Sequence, residues 1–244
     1  MSATRNRTLL ALLWLVVTAL ALVMLMLYVD RAVSGVARMA PETVVAVFAV
    51  ITVFGYSWLY WAPAGVLFFV FLALSQRPTP RMRTYRWAAE ASAFVFAAVA
   101  GSSIIVGIIK RVVGRARPYV ELPTDSSPFA WFVLNEDLHS FPSGHADTFL
   151  SVATVLSWLC PRWRWPILLA GVVGAFSRVV LHVHYVSDVL VGGAIGVGVA
   201  YAMRVWFADR GWAFRRRRDG SIRLKPAGRW TLMRVRRRLL RRRA

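Results

Sequence analysis

All four histidines of the chain, His139, His145, His182 and His184, fall between residues 139 and 184. Around them stand unusual concentrations of cations. Lys110, Arg111, Arg115 and Arg117 crowd one end of an apolar block, and Arg178, His184 and Asp188 cluster between two later ones. Imidazole, carboxylate and several cations at one place suit the handling of an anion such as a phosphate. The oxygens of a phosphomonoester must be neutralised before a nucleophile can approach phosphorus. Lysine supplies a point charge, and arginine grips two oxygens at once. His184 and Asp188 are four apart, so on a helix they share a face. A carboxylate that accepts one imidazole N–H fixes the tautomer and leaves the other nitrogen free. Each residue also has a plainer reading. Lys110 and Arg117 could be interface anchors that snorkel, His184 and Asp188 a satisfied helix pair, and Ser143-Gly144 a helix cap.

The elements that position these residues are apolar blocks separated by basic loops. The chain has 244 residues, 58% hydrophobic and 17% charged, against roughly 45–50% and about 25% in ordinary soluble domains. That excludes a disordered chain and argues against a soluble enzyme. The blocks read as six helical spans, because a bilayer offers the backbone no partners. The spans are Leu9–Val29, a long segment Thr43–Leu74 with a bend at Pro63, Trp87–Ile109, a short span His145–Cys160, Trp165 to about Val183, and Ser187–Phe207. The last carries Gly192, Gly193, Gly196 and Gly198, which permit close helix contact. Loops with Arg5 and Arg7, with Arg77 to Arg86, with Arg162 and Arg164, and the basic tail fall on one side. By the positive-inside rule that side is cytoplasmic. The segments Asp30–Glu42 and Lys110–Gly144 and the turn near His184 then face outward. Cations on the outer side oppose the usual bias, and an anion site accounts for them.

The expected fold class is therefore all-α, a polytopic membrane protein with six transmembrane helices and its site at the outer, periplasmic face. Residues 1–209 form the membrane domain and 210–244 an Arg-rich cytoplasmic tail. The tail holds 15 basic residues and one acid, Asp219. It is low in complexity, reads as disordered or surface-lying, and faces anionic lipid rather than nucleic acid, since no nucleic-acid fold signature accompanies it. The single cysteine, Cys160, makes no internal disulfide and reads as packing.

Three stretches in order carry a family resemblance. They are Lys110, six residues, then Arg117-Pro118; Pro142-Ser143-Gly144-His145; and Ser177-Arg178, five residues, His184, three residues, Asp188. Together they resemble the signature of the type 2 phosphatidic acid phosphatase superfamily, which includes membrane lipid phosphatases. The resemblance implies a metal-independent phosphatase with no cofactor. It implies His184 as nucleophile, oriented by Asp188 and forming a phosphohistidine, and His145 as acid and then base. Lys110, Arg117, Ser143, Gly144 and Arg178 hold the phosphate, with the amides at the start of the fourth span contributing. The expected partner is a lipid phosphate or diphosphate: a polyprenyl diphosphate first, then lipid A phosphate, with phosphatidate or phosphatidylglycerol phosphate also open. The rivals are a phosphotransferase and a non-catalytic lipid transporter. Arg111 and Arg115, at variable motif positions, are expected to be anchors. His182 is expected to be structural, and Asp147 to tune His145 or Arg178. The loop Tyr119–Ser140 is expected to be solvated, with Trp131 and Phe132 resting at the interface.

Overall fold

The computed structural model describes residues 2–121, 123 and 127–227. Helix α1 (Ser2–Met24) runs through a π-turn (Leu25–Val29) into α2 (Asp30–Arg38). The expected outer loop from Asp30 is thus mostly helical. No proline occurs before Pro41, so nothing ends the helix earlier. The second apolar segment is two helices, α3 (Glu42–Thr52) and α4 (Trp58–Ser75), joined by a short 3₁₀ turn at Val53–Gly55. The break lies at Gly55–Ser57 rather than at Pro63, which α4 absorbs.

Helix α5 (Met82–Val112) is about 46 Å long at 1.5 Å per residue. A loop region with a two-stranded ribbon follows, β1 (Val113–Arg115) antiparallel to β2 (Phe129–Trp131). Then come α6 (Gly144–Leu159), α7 (Arg164–Val180) and α8 (Val186–Asp209). Helix α6 is the central post: it packs against α5, α7 and α8, and eleven of its sixteen residues are buried. Helix α8 lies close against it because a Cβ on Gly192 would sit 2.2 Å from the Ser143 carbonyl oxygen, and one on Gly196 2.4 Å from that of Asp147.

Four helical units, Thr8–Arg38, Glu42–Ser75, Met82–Val112 and Val186–Asp209, are long and apolar enough to cross a membrane. Their outward faces expose leucine, valine and phenylalanine, as lipid-facing surfaces must. The chain is a multi-pass membrane protein, all-α apart from its ribbons.

The start of the tail is more ordered than its composition suggests. Strands β3 (Phe214–Arg216) and β4 (Ile222–Leu224) form a hairpin. Phe214 and Leu224 are buried in one core with Trp87, Phe94 and Phe207. Glu90 fastens the hairpin by accepting from the Ala213 amide at 2.8 Å and pairing with Lys225 at 2.7 Å. The rest of the Arg-rich run, 228–244, lies outside the described residues.

Candidate active site

The end of the bundle where α5 and α7 finish and α6 and α8 begin gathers the residues singled out above. His184 is not on a helix. Helix α7 closes at His182, whose φ of 53° is left-handed. The Val183 amide donates to the Arg178 carbonyl and the His182 amide to that of Val179. This is a Schellman closure with histidine where glycine is usual. The His182 ring meets the Ser34 hydroxyl at 3.3 Å. His182 therefore shapes the turn that delivers His184.

Helix α8 starts one residue after Tyr185, so His184 and Asp188 meet across a helix N-terminus rather than along one helical face. Asp188 Oδ2 accepts from the Tyr185 amide at 2.9 Å and from the Ser140 hydroxyl at 2.6 Å. His184 Nδ1 stands 3.6 Å from the same oxygen and 3.5 Å from the Ser140 Oγ. That fixes Nδ1 toward the carboxylate. Nε2 has no hydrogen-bond partner among the described residues. His184 is buried, and burial pushes its imidazole down to about 4. Asp188 opposes the shift, while Lys110 and Arg178 reinforce it. A ring so shifted is neutral at physiological pH.

Ser143 is the N-cap of α6; its hydroxyl accepts from the Ala146 amide at 3.5 Å, and its own amide donates to the Asp188 carbonyl at 2.9 Å. The Gly144 and His145 amides open the helix with no acceptor among the described residues. The His145 ring packs edge-on against Tyr56, with centroids 4.9 Å apart. Gly55 makes this possible, since a Cβ there would lie 2.4 Å from His145 Cδ2. Lys110 donates to the His139 carbonyl at 2.6 Å, Arg117 to that of Glu136 at 3.1 Å, and Arg178 to the Thr52 hydroxyl at 2.7 Å. Arg117, Arg178 and Asp188 lie within electrostatic reach of Lys110, and Lys110, Arg117, Arg178 and His184 within reach of His145.

Two expectations fail here. Arg115 is no anchor: it is 5% exposed, and it bridges two buried carboxylates. It donates to Asp188 Oδ1 at 2.6 Å and to Asp30 Oδ2 at 2.9 Å, and it also bonds the Ser187 hydroxyl at 2.7 Å. The ribbon turns it inward, because β1 is clasped by β2 and by the Ser140 amide bonding the Arg115 carbonyl. Asp30 also accepts from the Ser187 amide and hydroxyl. Asp147 touches neither His145 nor Arg178; its side chain faces Ser102 at 3.1 Å and Ser103 at 3.5 Å on α5. Arg111 does behave as an anchor, exposed and bonded to the Gly107 carbonyl.

The ion pairs sort the cations. Arg115 faces Asp30 and Asp188, whereas Lys110, Arg117 and Arg178 have no carboxylate partner among the described residues. Sequence reading missed Asp30 and Arg115. One signal was available: a lone carboxylate directly after an apolar run, where burying an unpaired charge is prohibitive.

The profile of the PAP2 superfamily matches residues 91–212, which hold every residue of this site except Asp30, Ser34, Thr52, Gly55 and Tyr56. The chain is 30% identical over 213 residues to the lipid A 1-phosphatase of Rhizobium johnstonii, covering 84% of each. It is 38% identical over 120 residues to the decaprenylphosphoryl-5-phosphoribose phosphatase of Mycobacterium tuberculosis, covering 49% of this chain and 60% of that one. The crystal structure of a transmembrane PAP2-type phosphatidylglycerolphosphate phosphatase from Bacillus subtilis superposes with a TM-score of 0.47 at 20% identity, covering 80% and 96% of the two chains. The chain belongs to the PAP2 superfamily and is a metal-independent membrane lipid phosphatase.

Proposed function

We propose that the protein removes a terminal phosphate from a lipid at the outer membrane face through a phosphohistidine on His184. The observation that carries this is the set of cations with no carboxylate partner among the described residues, Lys110, Arg117 and Arg178, gathered beside a neutral imidazole whose Nδ1 faces Asp188. These cations hold the non-bridging oxygens, helped by Ser143 and the Gly144 amide. His184 Nε2 attacks phosphorus, the bond from phosphorus to the ester oxygen breaks, and His145 gives that oxygen its proton. Water then attacks the phosphohistidine, His145 takes its proton, and orthophosphate leaves. Stabilisation is electrostatic and positional. The reading gives six spans, α6 and α7 being the two short ones, with both termini cytoplasmic. Residues up to about 209 form the catalytic unit, and the basic end of the chain rests on anionic lipid.

Lipid A 1-phosphate is the first substrate to test, since the relative named for it matches over the greater length. A polyprenyl-linked phosphate is the second reading, favoured by the higher identity, over half the chain, to the decaprenyl enzyme. Phosphate release by purified wild type and His184→Ala across a panel of both tests the proposal. Near-total loss in the variant, with helicity retained, is expected. Equal release by the two proteins removes His184 from the chemistry. Radiolabel passing from a donor lipid to an acceptor lipid instead of to water identifies a phosphotransferase. For topology, a reporter after Ala244 should be cytoplasmic and one inserted at Ser126 exported.

A further inference from the structure

The opposite end of the bundle holds a second cationic cavity that catalysis does not use. It measures about 410 Å³ and is lined by Arg164, Arg204 and Arg223 on one hand and by Trp158, Phe214 and Leu224 on the other. These arginines come from three separate elements: the start of α7, the end of α8 and the hairpin strand β4. Arg204 stacks over Trp158 at 4.5 Å and over Phe214 at 5.7 Å. Its Nη2 donates to the Ile222 carbonyl at 2.8 Å, while its Nε is buried without a partner. Among the described residues no carboxylate pairs with Arg164, Arg204 or Arg223. Asp209 is held by Arg216, and Asp219, the acid whose charge reaches Arg223, sits exposed at the hairpin tip.

Arg164, Arg204 and Arg223 line one apolar-walled cavity, Arg164 resting over the Trp165 ring and within electrostatic reach of Arg204, and cations so placed repel one another unless an anion sits between them. The aromatic residues near the cavity say where that anion comes from. Exposed Trp163 and Trp165 flank Arg164, and exposed Trp206, two residues after Arg204 on α8, packs against exposed Trp212 at 5.5 Å. Tryptophan gathers at the headgroup level of a bilayer, and basic pockets between transmembrane helices bind acidic lipid headgroups. The aromatic and leucine walls suit a phosphate that carries apolar substituents, which inorganic phosphate lacks. We infer that this cavity binds the phosphodiester headgroup of an acidic phospholipid in the leaflet away from the active site, tying the hairpin to α7 and α8.

The test is native mass spectrometry of the full chain in detergent with phosphatidylglycerol or phosphatidylcholine. The wild type should retain phosphatidylglycerol over phosphatidylcholine. An R164Q/R223Q variant should lose about five-fold in that affinity per charge removed, with helicity and phosphate release unchanged. Arg204 is left intact because its substitution threatens the fold. An R215Q/R218Q variant removes the same charge outside the cavity and should retain the lipid. Equal losses in the two double variants, no loss in R164Q/R223Q, or equal retention of both lipids would each overturn the proposal. Displacement of the lipid by millimolar inorganic phosphate would overturn it in favour of a free-phosphate site.

Discussion

Substituting Arg115 by glutamine should cost more than substituting most residues nearer the phosphate. In the native site one guanidinium lies between Asp188 at 2.6 Å and Asp30 at 2.9 Å, all three side chains almost fully buried. Removing the cation leaves two carboxylates sharing the Ser187 environment without compensation. Breaking a buried pair by deleting one partner costs about 3–5 kcal/mol. The arrangement relaxes when one carboxylate takes up a proton, and a protonated or displaced Asp188 no longer orients His184. If about 3 kcal/mol of this reaches the transition state, kcat falls roughly 150-fold. The double variant D30N/R115Q removes one of the stranded carboxylates and should recover at least about ten-fold of the loss, a coupling of about 1.4 kcal/mol. Phosphate release by purified R115Q, D30N and D30N/R115Q of matched helicity completes the cycle. An R115Q enzyme within about three-fold of wild type refutes the bridge, as does a double variant whose loss is the product of the single ones.

Burial holds the His184 imidazole near 4, so it should stay neutral from pH 8 to about 5 and protonate only below. Titration of its ring carbons by NMR in the substrate-free protein checks this, and a midpoint at or above the ordinary 6.5 contradicts it. Gly55→Ala places a Cβ 2.4 Å from His145 Cδ2 and 2.9 Å from Phe149 Cε2, so kcat should fall with little change in thermal midpoint. Phe214→Ala empties a fully buried core position and should cost about 3–5 kcal/mol, read as a lower unfolding temperature. Truncation after Gly211, which removes the hairpin and Phe214, should lower that temperature as well.

Period and composition made much of the fold legible. The apolar blocks located α5, α6 and α8 to within a few residues at most ends, because membrane spans announce themselves by length alone. The glycine stripe on α8 announced a close packing that Gly192 and Gly196 make against α6. What escaped reading was what depends on distant partners. Arg115 meets carboxylates 85 and 73 positions away, through a three-residue strand too short to leave a period-two pattern. The capping geometry of Asp188 escaped too, since a four-residue spacing fits both a helical face and a helix entry. The hairpin at 214–224 was hidden by its charge: the packed residues Phe214 and Leu224 sit among arginines that point outward.

The division of labour among the cations follows from where each carboxylate lies. A membrane enzyme that binds a phosphate must keep several positive charges unneutralised in a site poor in water, and every such charge repels its neighbours. Placing Asp188 beside His184 adds a negative charge that would otherwise attract Lys110 or Arg178 out of position. Arg115 removes that competition. It saturates Asp188 Oδ1 from behind, shares its remaining charge with Asp30, and leaves Oδ2 to Ser140, Tyr185 and the imidazole. Lys110, Arg117 and Arg178 then have no carboxylate partner among the described residues, and in the proposed reaction the substrate phosphate is the anion that satisfies them. Asp30 opens α2, in the same helical unit as α1, so this arrangement also makes the N-terminal unit part of the site, although the family profile begins only at residue 91.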